Sequence, residues 1–231
     1  MLEIQDLNFH YGAVQALYGI NMSMPAGQIT CVMGRNGVGK TTLLKNIMGV
    51  ESSSSGSISL GGQPVLGLPA NKRARAGLAL VPQGRMIFPK LTVEENLTVG
   101  LEARADRKRV IPEMIYETFP ILANFRKRNG GDLSGGQQQQ LAIGRALAGD
   151  PKVLLLDEPT EGIQPNIIQL IGEVLQKLAK ERNMAIVLVE QYLDFVREIA
   201  NSFYVLNRGR VVASGVTAEL SEEVVSQHLK V

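Results

Sequence analysis

The sequence has no tryptophan, a single cysteine and few aromatic residues, which make up 5% of its 231 positions. One cysteine, Cys31, cannot form an intramolecular disulfide, which excludes a disulfide framework and suits a reducing compartment. No apolar run approaches the roughly 18 residues that span a bilayer. The first ten residues, MLEIQDLNFH, lack the basic and apolar regions of a signal peptide. We therefore expect a soluble protein, or one that reaches a membrane only through a partner.

An excess of charge of either sign is also missing. The 24 lysines and arginines nearly balance the 22 aspartates and glutamates, for a net charge of +2, and this balance argues against a nucleic-acid partner. Hydrophobic residues make up 45% and charged residues 20% of the chain, which is typical of globular proteins and excludes disordered and collagen-like classes. The length fits one large domain or two small ones, with a core of useful size.

Strand-like and helix-like segments alternate along the chain. Strands are predicted at residues 2–9, 28–33, 57–60, 78–81, 152–157, 185–190, 202–206 and 210–214. Helices are predicted at residues 40–48, 93–103, 112–119, 136–149, 165–182, 192–201 and 222–229. Several of the strands are continuous apolar runs, which is typical of strands buried on both faces of a parallel sheet. The alternation predicts an α/β fold.

Residues 84–150 differ from the rest because they contain helical patterns and polar loops without a convincing strand. We interpret them as a helical subdomain inserted into an α/β core of residues 1–83 and 151–231, and we expect residues 1–231 to form a single domain. The tetrapeptide NKRA at 71–74 begins like the guanine-reading motif of GTPases. It lacks the aspartate of that motif and comes too early in the chain, so we interpret it as a surface helix.

Residues 34–41 read GRNGVGKT and fit the phosphate-loop pattern G-x-x-x-x-G-K-[ST]. A predicted strand precedes the loop and a predicted helix follows it, as the mechanism requires, because the loop N–H groups and the helix N-terminus then face the phosphates. Lys40 would contact the β- and γ-phosphates, and the Thr41 hydroxyl would bind Mg²⁺. The candidate nucleotide-binding residues here are Gly34, Arg35, Asn36, Gly37, Val38, Gly39, Lys40, Thr41 and Thr42.

A second motif, VLLLDE at 153–158, is an apolar strand that ends in two carboxylates. Ligands of open α/β sheets bind beyond the carboxyl ends of the strands, where Asp157 and Glu158 would lie. Asp157 is expected to hold Mg²⁺ through water, and Glu158 to act as the general base on the attacking water. The two motifs together predict a nucleotide-hydrolysing site.

The pentapeptide LSGGQ at 133–137, in order with the two motifs above, resembles the ATP-binding cassette of ABC transporters over nearly the whole chain. The resemblance implies a P-loop NTPase fold, with a RecA-like core whose sheet is mostly parallel, an antiparallel β part and the inserted helical subdomain. It implies an ATPase that uses ATP and Mg²⁺. Two cassettes would pack head-to-tail with two ATP molecules between them. The start of a helix binds anions, and here it would contact the γ-phosphate held by the other subunit through Ser134, Gly135, Gly136 and Gln137.

Other positions match the cassette family one by one. Tyr11 fits the aromatic residue that stacks on adenine. Gln83, in VPQ, fits the glutamine that senses Mg²⁺ and the attacking water and joins the helical subdomain, so it is a candidate for both the catalytic and the metal site. Gln164 ends the loop EGIQ, where the family most often has aspartate.

Gln191 stands where most cassettes carry a histidine that contacts the γ-phosphate. An amide can donate a hydrogen bond to a phosphate oxygen, but it cannot become cationic. Two interpretations of this candidate catalytic residue stay open: a degenerate, slow cassette, or a branch of the family that uses glutamine. The intact Glu158 favours an active enzyme.

The tripeptide VEQ at 189–191 resembles the branch of cassettes that serves importers of branched-chain amino acids and of urea. The segments IFPKLTVEENL at 87–97, LSGGQQQQLAIGRAL at 133–147 and DEPTEGIQP at 157–165 resemble the urea-type subunit more closely. The resemblance therefore implies the ATP-hydrolysing subunit of a urea importer, with a branched-chain amino acid importer as the alternative. A soluble cassette ATPase acting on DNA or ribosomes and a non-hydrolysing partner in a mixed dimer are further alternatives.

The partners that the resemblance implies are a second ABC ATPase subunit, integral membrane permease subunits and, indirectly, a solute-binding protein. The chain would then be a peripheral protein at the cytoplasmic face of the plasma membrane. Ile87 and Phe88 lie a few positions after Gln83. They either form a docking surface for a permease helix or pack inside the helical subdomain.

Overall fold

The computed structural model describes residues 1–52 and 55–228. Within them the strands are β1 (Leu2–Tyr11), β2 (Val14–Met24), β3 (Ile29–Met33), β4 (Ser55–Leu60), β5 (Gln63–Pro64), β6 (Leu78–Val81), β7 (Val153–Asp157), β8 (Ala185–Val189), β9 (Ser202–Asn207) and β10 (Arg210–Val216). The helices are α1 (Lys40–Met48), α2 (Ala70–Ala76), α3 (Val93–Gly100), α4 (Glu113–Thr118), α5 (Pro120–Asn124), α6 (Gly135–Ala148), α7 (Pro165–Arg182), α8 (Leu193–Ile199) and α9 (Glu222–His228). The predicted end of the last helix, Leu229, lies outside the described residues.

The larger sheet has six strands in the order β10-β9-β3-β8-β7-β6. The neighbours from β9 to β6 pair in parallel, and β10 pairs antiparallel with β9. Every residue of β3, β7 and β8 is buried, which explains why these strands are continuous apolar runs in the sequence. The predicted α/β fold with a mostly parallel sheet is confirmed.

The two faces of this sheet pack against different layers. On one face, Val32 and Leu155 join a cluster with α1 and the smaller sheet. On the other face, Cys31 and Leu154 pack with α6, α7 and α8. Successive residues of a strand point to opposite faces, so one strand supplies both clusters. This layering places the start of α1 and the ends of β7 and β8 at one edge of the sheet.

The smaller sheet is antiparallel throughout, in the order β2-β1-β4-β5, which confirms the antiparallel part that the resemblance implies. The sequence analysis missed β2 and the short β5. In β2, buried and exposed residues alternate regularly only from Ile20 to Met24, because register shifts interrupt the pairing of β1 with β2. Asp6 and Gly19 adopt left-handed φ angles of 46° and 55° near these shifts. A strand bent in this way does not show a period of two over its whole length.

The helices α3 to α6 occupy the segment that was predicted to be helical. Within its residues 84–150, all of which are described, the only β pairing is an isolated bridge between Thr92 and Asn129. The side-chain amide of buried Asn96 donates to the carbonyls of Phe88, Leu91 and Thr92, and its oxygen accepts from the Phe88 N–H. Asn96 therefore fixes the loop that leads into α3. The boundaries at 84 and 150 and the single-domain assignment stay predictions.

The tetrapeptide NKRA forms part of α2, but the interpretation as a plain surface helix is incomplete because Arg73 is only 2% exposed. Its guanidinium donates to the carbonyls of Asn46 (2.7 Å) and Ile47 (2.9 Å) in α1, and to Leu68 (2.8 Å) and Leu66 in the preceding loop. A cation at the C-terminus of a helix interacts favourably with the helix dipole. Arg73 therefore ties α2 to the end of the helix that begins at the phosphate loop.

In residues 1–52 and 55–228, no helix has the length and apolar character needed to cross a bilayer.

Candidate nucleotide-binding and catalytic site

The phosphate loop connects β3 to α1, as the sequence predicts. Gly37 and Gly39 have left-handed φ angles of 79° and 110°, which glycine adopts without strain. Lys40 begins α1, is 5% exposed, and donates from Nζ to the carbonyls of Gly34 (2.7 Å) and Arg35 (3.0 Å). The ammonium group is therefore held against the loop.

The carboxylates around Lys40 offset part of the effect of its burial. Burial lowers the pKa of Lys40, and the nearby carboxylates of Glu158, Asp157 and Glu190 oppose that effect. The Glu158 Oε1 atom lies 3.7 Å from Nζ. The site thus pairs a desolvated cation with carboxylates that come from the ends of β7 and β8.

Asp157 is the residue best suited to a metal ion. It is 3% exposed, and burial raises its pKa, whereas a hydrogen bond with the Thr41 side chain lowers it. Its Oδ1 atom has no hydrogen-bond partner among the described residues. An orphaned carboxylate oxygen beside a hydroxyl fits a hard cation such as Mg²⁺, which prefers oxygen ligands and is usually completed by water and phosphate oxygens. In the described part of the chain no group of three or more His, Cys, Asp or Glu side chains could hold a metal.

Glu158 lies at the centre of the predicted catalytic residues. Gln191 Nε2 donates to its Oε1 atom at 2.6 Å, and Gln83 Nε2 donates to its Oε2 atom at 3.2 Å. Gln191 Nε2 also donates to Asn36 Oδ1 of the phosphate loop at 2.8 Å. The structure therefore brings together Asn36, Lys40, Gln83, Glu158 and Gln191, although these residues come from four separate segments.

Two residues of this network were missed by the sequence analysis. Glu190 is 3% exposed and accepts from Thr160 Oγ1 (2.6 Å) and the N–H groups of Thr160 and Gln191 (3.1 and 2.9 Å). Glu161 accepts from Gln83 Nε2 at 3.1 Å. The sequence signal was a glutamate directly before Gln191 and another in the loop after Glu158. Neither signal specifies a partner, because the contacts join residues far apart in the chain.

The LSGGQ segment lies apart from this cluster. Ser134 caps α6: its Oγ accepts from the Gln137 N–H, and the Gln137 side chain accepts from the Ser134 N–H. Ser134, Gly135, Gly136 and Gln137 line a concavity of about 540 Å³ with residues of the loop before α7. The lining includes no residue of the phosphate loop. One chain therefore holds the predicted nucleotide-binding residues in two separate groups.

Tyr11 and Phe88 are exposed rather than buried in the core. Tyr11 is 46% exposed, its ring meets Phe9 edge-on at 4.6 Å, and its hydroxyl lies 3.5 Å from Thr42 Oγ1 at the start of α1. Phe88 is 45% exposed, and the Arg145 guanidinium carbon lies 5.1 Å from its ring centre. Ile87, by contrast, packs against the core. Ile87 therefore fits the interpretation as a residue packed inside the helical subdomain, whereas Phe88 fits the interpretation as part of a docking surface. The adenine contact of Tyr11 stays a prediction.

Comparisons with known proteins agree with this geometry. The family model for ABC transporters matches residues 17–161. The chain is 41% identical to the high-affinity branched-chain amino acid transport ATP-binding protein BraG of Pseudomonas aeruginosa, over 95% of this chain and 94% of that protein. It is 38% identical to the probable branched-chain amino acid transport ATP-binding protein LivF of Archaeoglobus fulgidus, over 96% of this chain and 94% of that protein.

A nucleotide-free ATP-binding cassette from an ABC transporter superposes with a TM-score of 0.83 at 27% identity, covering 99% of this chain and 94% of its own. The family match, the two relatives and this shared fold lead to one assignment: the chain belongs to the ABC transporter family and is an ATP-binding, ATP-hydrolysing subunit.

Proposed function

We propose that this protein powers a membrane importer for branched-chain amino acids by hydrolysing ATP. The observation that carries the catalytic part is Glu158, which lies between the Gln83 and Gln191 amides and 3.7 Å from the Lys40 ammonium. The substrate class is supported by the two relatives whose names state branched-chain amino acid transport. Those names give no support to urea, so the alternative substrate replaces the first interpretation.

The residues divide the work on ATP among them. The N–H groups of the phosphate loop, the N-terminus of α1 and Lys40 hold the β- and γ-phosphates. Thr41 and Asp157 are placed to hold Mg²⁺, which when bound neutralises charge on the phosphates. Glu158 accepts the proton of the attacking water at a carboxylate oxygen. Gln191 donates its amide N–H to the γ-phosphate, which requires it to leave Glu158.

A second copy or a related cassette completes the site. The concavity at Ser134 includes no residue of the phosphate loop, so the helix N-terminus of α6 is free to meet the nucleotide of another chain. A head-to-tail pair gives each ATP one phosphate loop and one LSGGQ segment. This pairing accounts for both groups of nucleotide-binding residues with one symmetry operation.

The permease partner would dock on a groove of about 450 Å³ next to Phe88. Its lining includes the exposed apolar residues Met86, Phe88 and Val99, together with Arg145. An apolar groove with an aromatic anchor fits one side of an amphipathic helix. Gln83, which contacts Glu158, lies three residues before Met86 in the chain, so one short segment connects the groove to the proposed catalytic residues. The proposal includes a peripheral position of the chain at the cytoplasmic face of the membrane, with the solute-binding protein as an indirect partner.

The test of the catalytic part is Glu158→Gln, which keeps the shape of the side chain and removes the base. We expect ATP to bind and hydrolysis to fall about 10²–10⁴-fold, the contribution of general acid–base catalysis. Glu117→Gln, at an exposed position of α4, is the matched control and should retain the parent rate. Turnover of Glu158→Gln near the parent rate would refute the assignment of the base.

The test of the substrate class uses the assembled importer. The chain is purified with its permease subunits and solute-binding protein, and binding of leucine, isoleucine and urea to that complex is measured. Binding of leucine or isoleucine without urea supports the proposal. Binding of urea alone restores the first interpretation.

A further inference from the structure

The loop after β6 contains two consecutive left-handed residues that are not glycine. Arg85 has φ 70° and Met86 has φ 46°. Such angles cost an L-residue roughly 1–2 kcal/mol each, and they persist where the surroundings fix them. The surroundings here are the Arg145 guanidinium of α6, whose Nη2 donates to the carbonyls of Arg85 (3.3 Å) and Met86 (2.8 Å). The backbone at Arg85 is therefore held in place from α6.

The side chain of Arg85 reaches two other loops of the site. Its Nη2 donates to the Glu161 carbonyl at 3.2 Å. A methyl group placed on Gly135, the first residue of α6, would lie 3.2 Å from Nη1, and one placed on Gly162 would lie 3.7 Å from Nη2. A methyl group at Gly135 would therefore require the guanidinium to shift by a few tenths of an ångström. Arg85 thus donates to the loop after β7 and lies beside the start of α6.

These loops carry the two separate groups of nucleotide-binding residues. The loop after β7 holds Glu158 and Glu161, which both accept from Gln83. The start of α6 holds Ser134, which lies in the other group. Arg85 is two residues from Gln83, and its side chain spans the space between the groups.

The positive charge of Arg85 makes its position beside the start of α6 electrostatically unfavourable. A guanidinium beside the N-terminus of α6 lies near the positive end of the helix dipole, which disfavours a cation. The Glu161 carbonyl supplies an acceptor that offsets part of this repulsion. An anion at the start of α6 would supply more, so the position of the guanidinium depends on what is bound there.

We propose that Arg85 is a positioning residue that couples the LSGGQ end of α6 to the catalytic loop of the same chain. When a phosphate of the partner's ATP meets α6, the guanidinium transmits the change to Glu161 and, through Gln83, to Glu158. The proposal rests on the paired arrangement under the proposed function. It assigns Arg85 no contact with the reacting atoms.

The test compares Arg85→Ala, Arg85→Lys and Arg107→Ala. Alanine keeps the same backbone demand at position 85 and removes the guanidinium. Arg107 is the matched control, because it is an exposed arginine that is also left-handed, with φ 56°. For Arg85→Ala we expect ATP affinity and melting temperature unchanged and kcat lower by about 10–100-fold, the size of effect that misplaced catalytic groups produce. Arg85→Lys keeps the positive charge but loses the planar guanidinium with its paired donors, so it should recover part of kcat.

A second measurement does not depend on hydrolysis. Amide hydrogen exchange of the nucleotide-free protein should be faster in Arg85→Ala than in the parent at residues 134–138 and 161–164 together, and unchanged in Arg107→Ala. Parental kcat and parental exchange in Arg85→Ala would overturn the proposal. If the parent itself does not hydrolyse ATP, the proposed function fails, while the exchange measurement still decides the role of Arg85.

Discussion

Gln191 stands where most cassettes carry a histidine, and this difference changes the chemistry of the proposed catalytic centre. Its amide nitrogen donates at once to Glu158 Oε1 and to Asn36 Oδ1. An amide has two N–H donors at every pH, whereas a neutral imidazole has one and gains the second only with a positive charge. Gln191 therefore joins the phosphate loop to Glu158, the proposed general base, without adding a group that titrates near neutrality.

We expect Gln191→His to introduce a pH dependence that the parent lacks. Below a pKa of about 6.5 the imidazole is charged and attracts the γ-phosphate, and above it this attraction is lost. The Kd for ATP of the variant, divided by that of the parent, should therefore rise a few-fold between pH 5.5 and 7.5. Dividing by the parent removes the titration of ATP itself.

Gln169→His, at a surface position of α7, is the control for this experiment. Its ratio should stay constant across the same range. A constant ratio for Gln191→His as well would contradict a phosphate contact at position 191.

At the scale of residues, the role of a side chain could be predicted from the sequence only where its partners lie close to it in the chain. Lys40 and Asp157 were predictable because they belong to short motifs with a strand on one side. Arg85 and Glu190 were not, since their contacts join segments about 50–75 and 30 residues away. A motif specifies neighbours along the chain, and only the fold supplies neighbours across it.

At the scale of elements, α1 is held at both ends by different means. Its N-terminus meets the phosphate loop, and its C-terminal carbonyls accept from Arg73. Gly49 ends the helix with φ 77°, and a methyl group there would lie 2.7 Å from Arg73 Nε. The buried guanidinium and the glycine therefore form one C-terminal cap.

Arg73→Ala should destabilise the protein by about 3 kcal/mol, since several buried carbonyls lose a donor at about 1–3 kcal/mol each. For a chain of this length that corresponds to a fall in melting temperature of roughly 6–12 °C. Arg75→Ala, in the same helix but exposed, should change the melting temperature little. Equal small effects of the two variants would show that water replaces the guanidinium without cost.

The exposed face at Phe88 leads to a different expectation. Because Phe88 is 45% exposed and its neighbour Arg145 can pair with a carboxylate, Phe88→Asp should fold and hydrolyse ATP as the parent does. Binding to the permease subunits should weaken by about 30-fold, as for loss of an aromatic anchor worth 2 kcal/mol. Val216→Asp, at another exposed apolar position, is the control in the same co-purification. Parental binding by Phe88→Asp would exclude this groove as the docking site.

The elements that were predicted and missed differ in a physical way. β3, β7 and β8 are buried on both faces, so their composition alone identifies them. β2 has one exposed face, shifts in register and a left-handed Gly19, so its pattern is interrupted. Irregular strands at the edge of a sheet are therefore harder to predict from sequence than the strands at its centre.

For the whole molecule, the separation of the two nucleotide-binding groups gives a test of pairing. Lys40→Ala removes the phosphate-loop cation, and Ser134→Arg blocks the start of α6. In a mixed head-to-tail dimer one composite site carries both changes and the other carries neither. Equimolar mixing should restore roughly a quarter of the parent ATPase rate, if half of the dimers are mixed and half of their sites are intact.

Each variant measured alone should be inactive, and a mixture of Lys40→Ala with a chain that carries both Lys40→Ala and Ser134→Arg, in which no phosphate loop is intact, should stay inactive as the control. No recovery in the first mixture, with mixed dimers demonstrated by differently tagged chains, would argue that each site is completed within one chain.

Arg145, which lines the proposed docking groove, has a buried hydrogen-bond donor without an acceptor in the described part of the chain. Its Nη2 holds the loop at Arg85 and Met86, but its Nη1 atom is buried and has no hydrogen-bond partner among the described residues. A buried donor without an acceptor destabilises the free subunit by about 1–3 kcal/mol. Because Nη1 is buried, a docked segment reaches it only if the loop at Arg85 and Met86 moves, and a carbonyl or carboxylate offered to Nη1 would then remove that penalty. If the proposed docking is right, the isolated subunit is thus destabilised locally at the docking position, and assembly offsets that destabilisation.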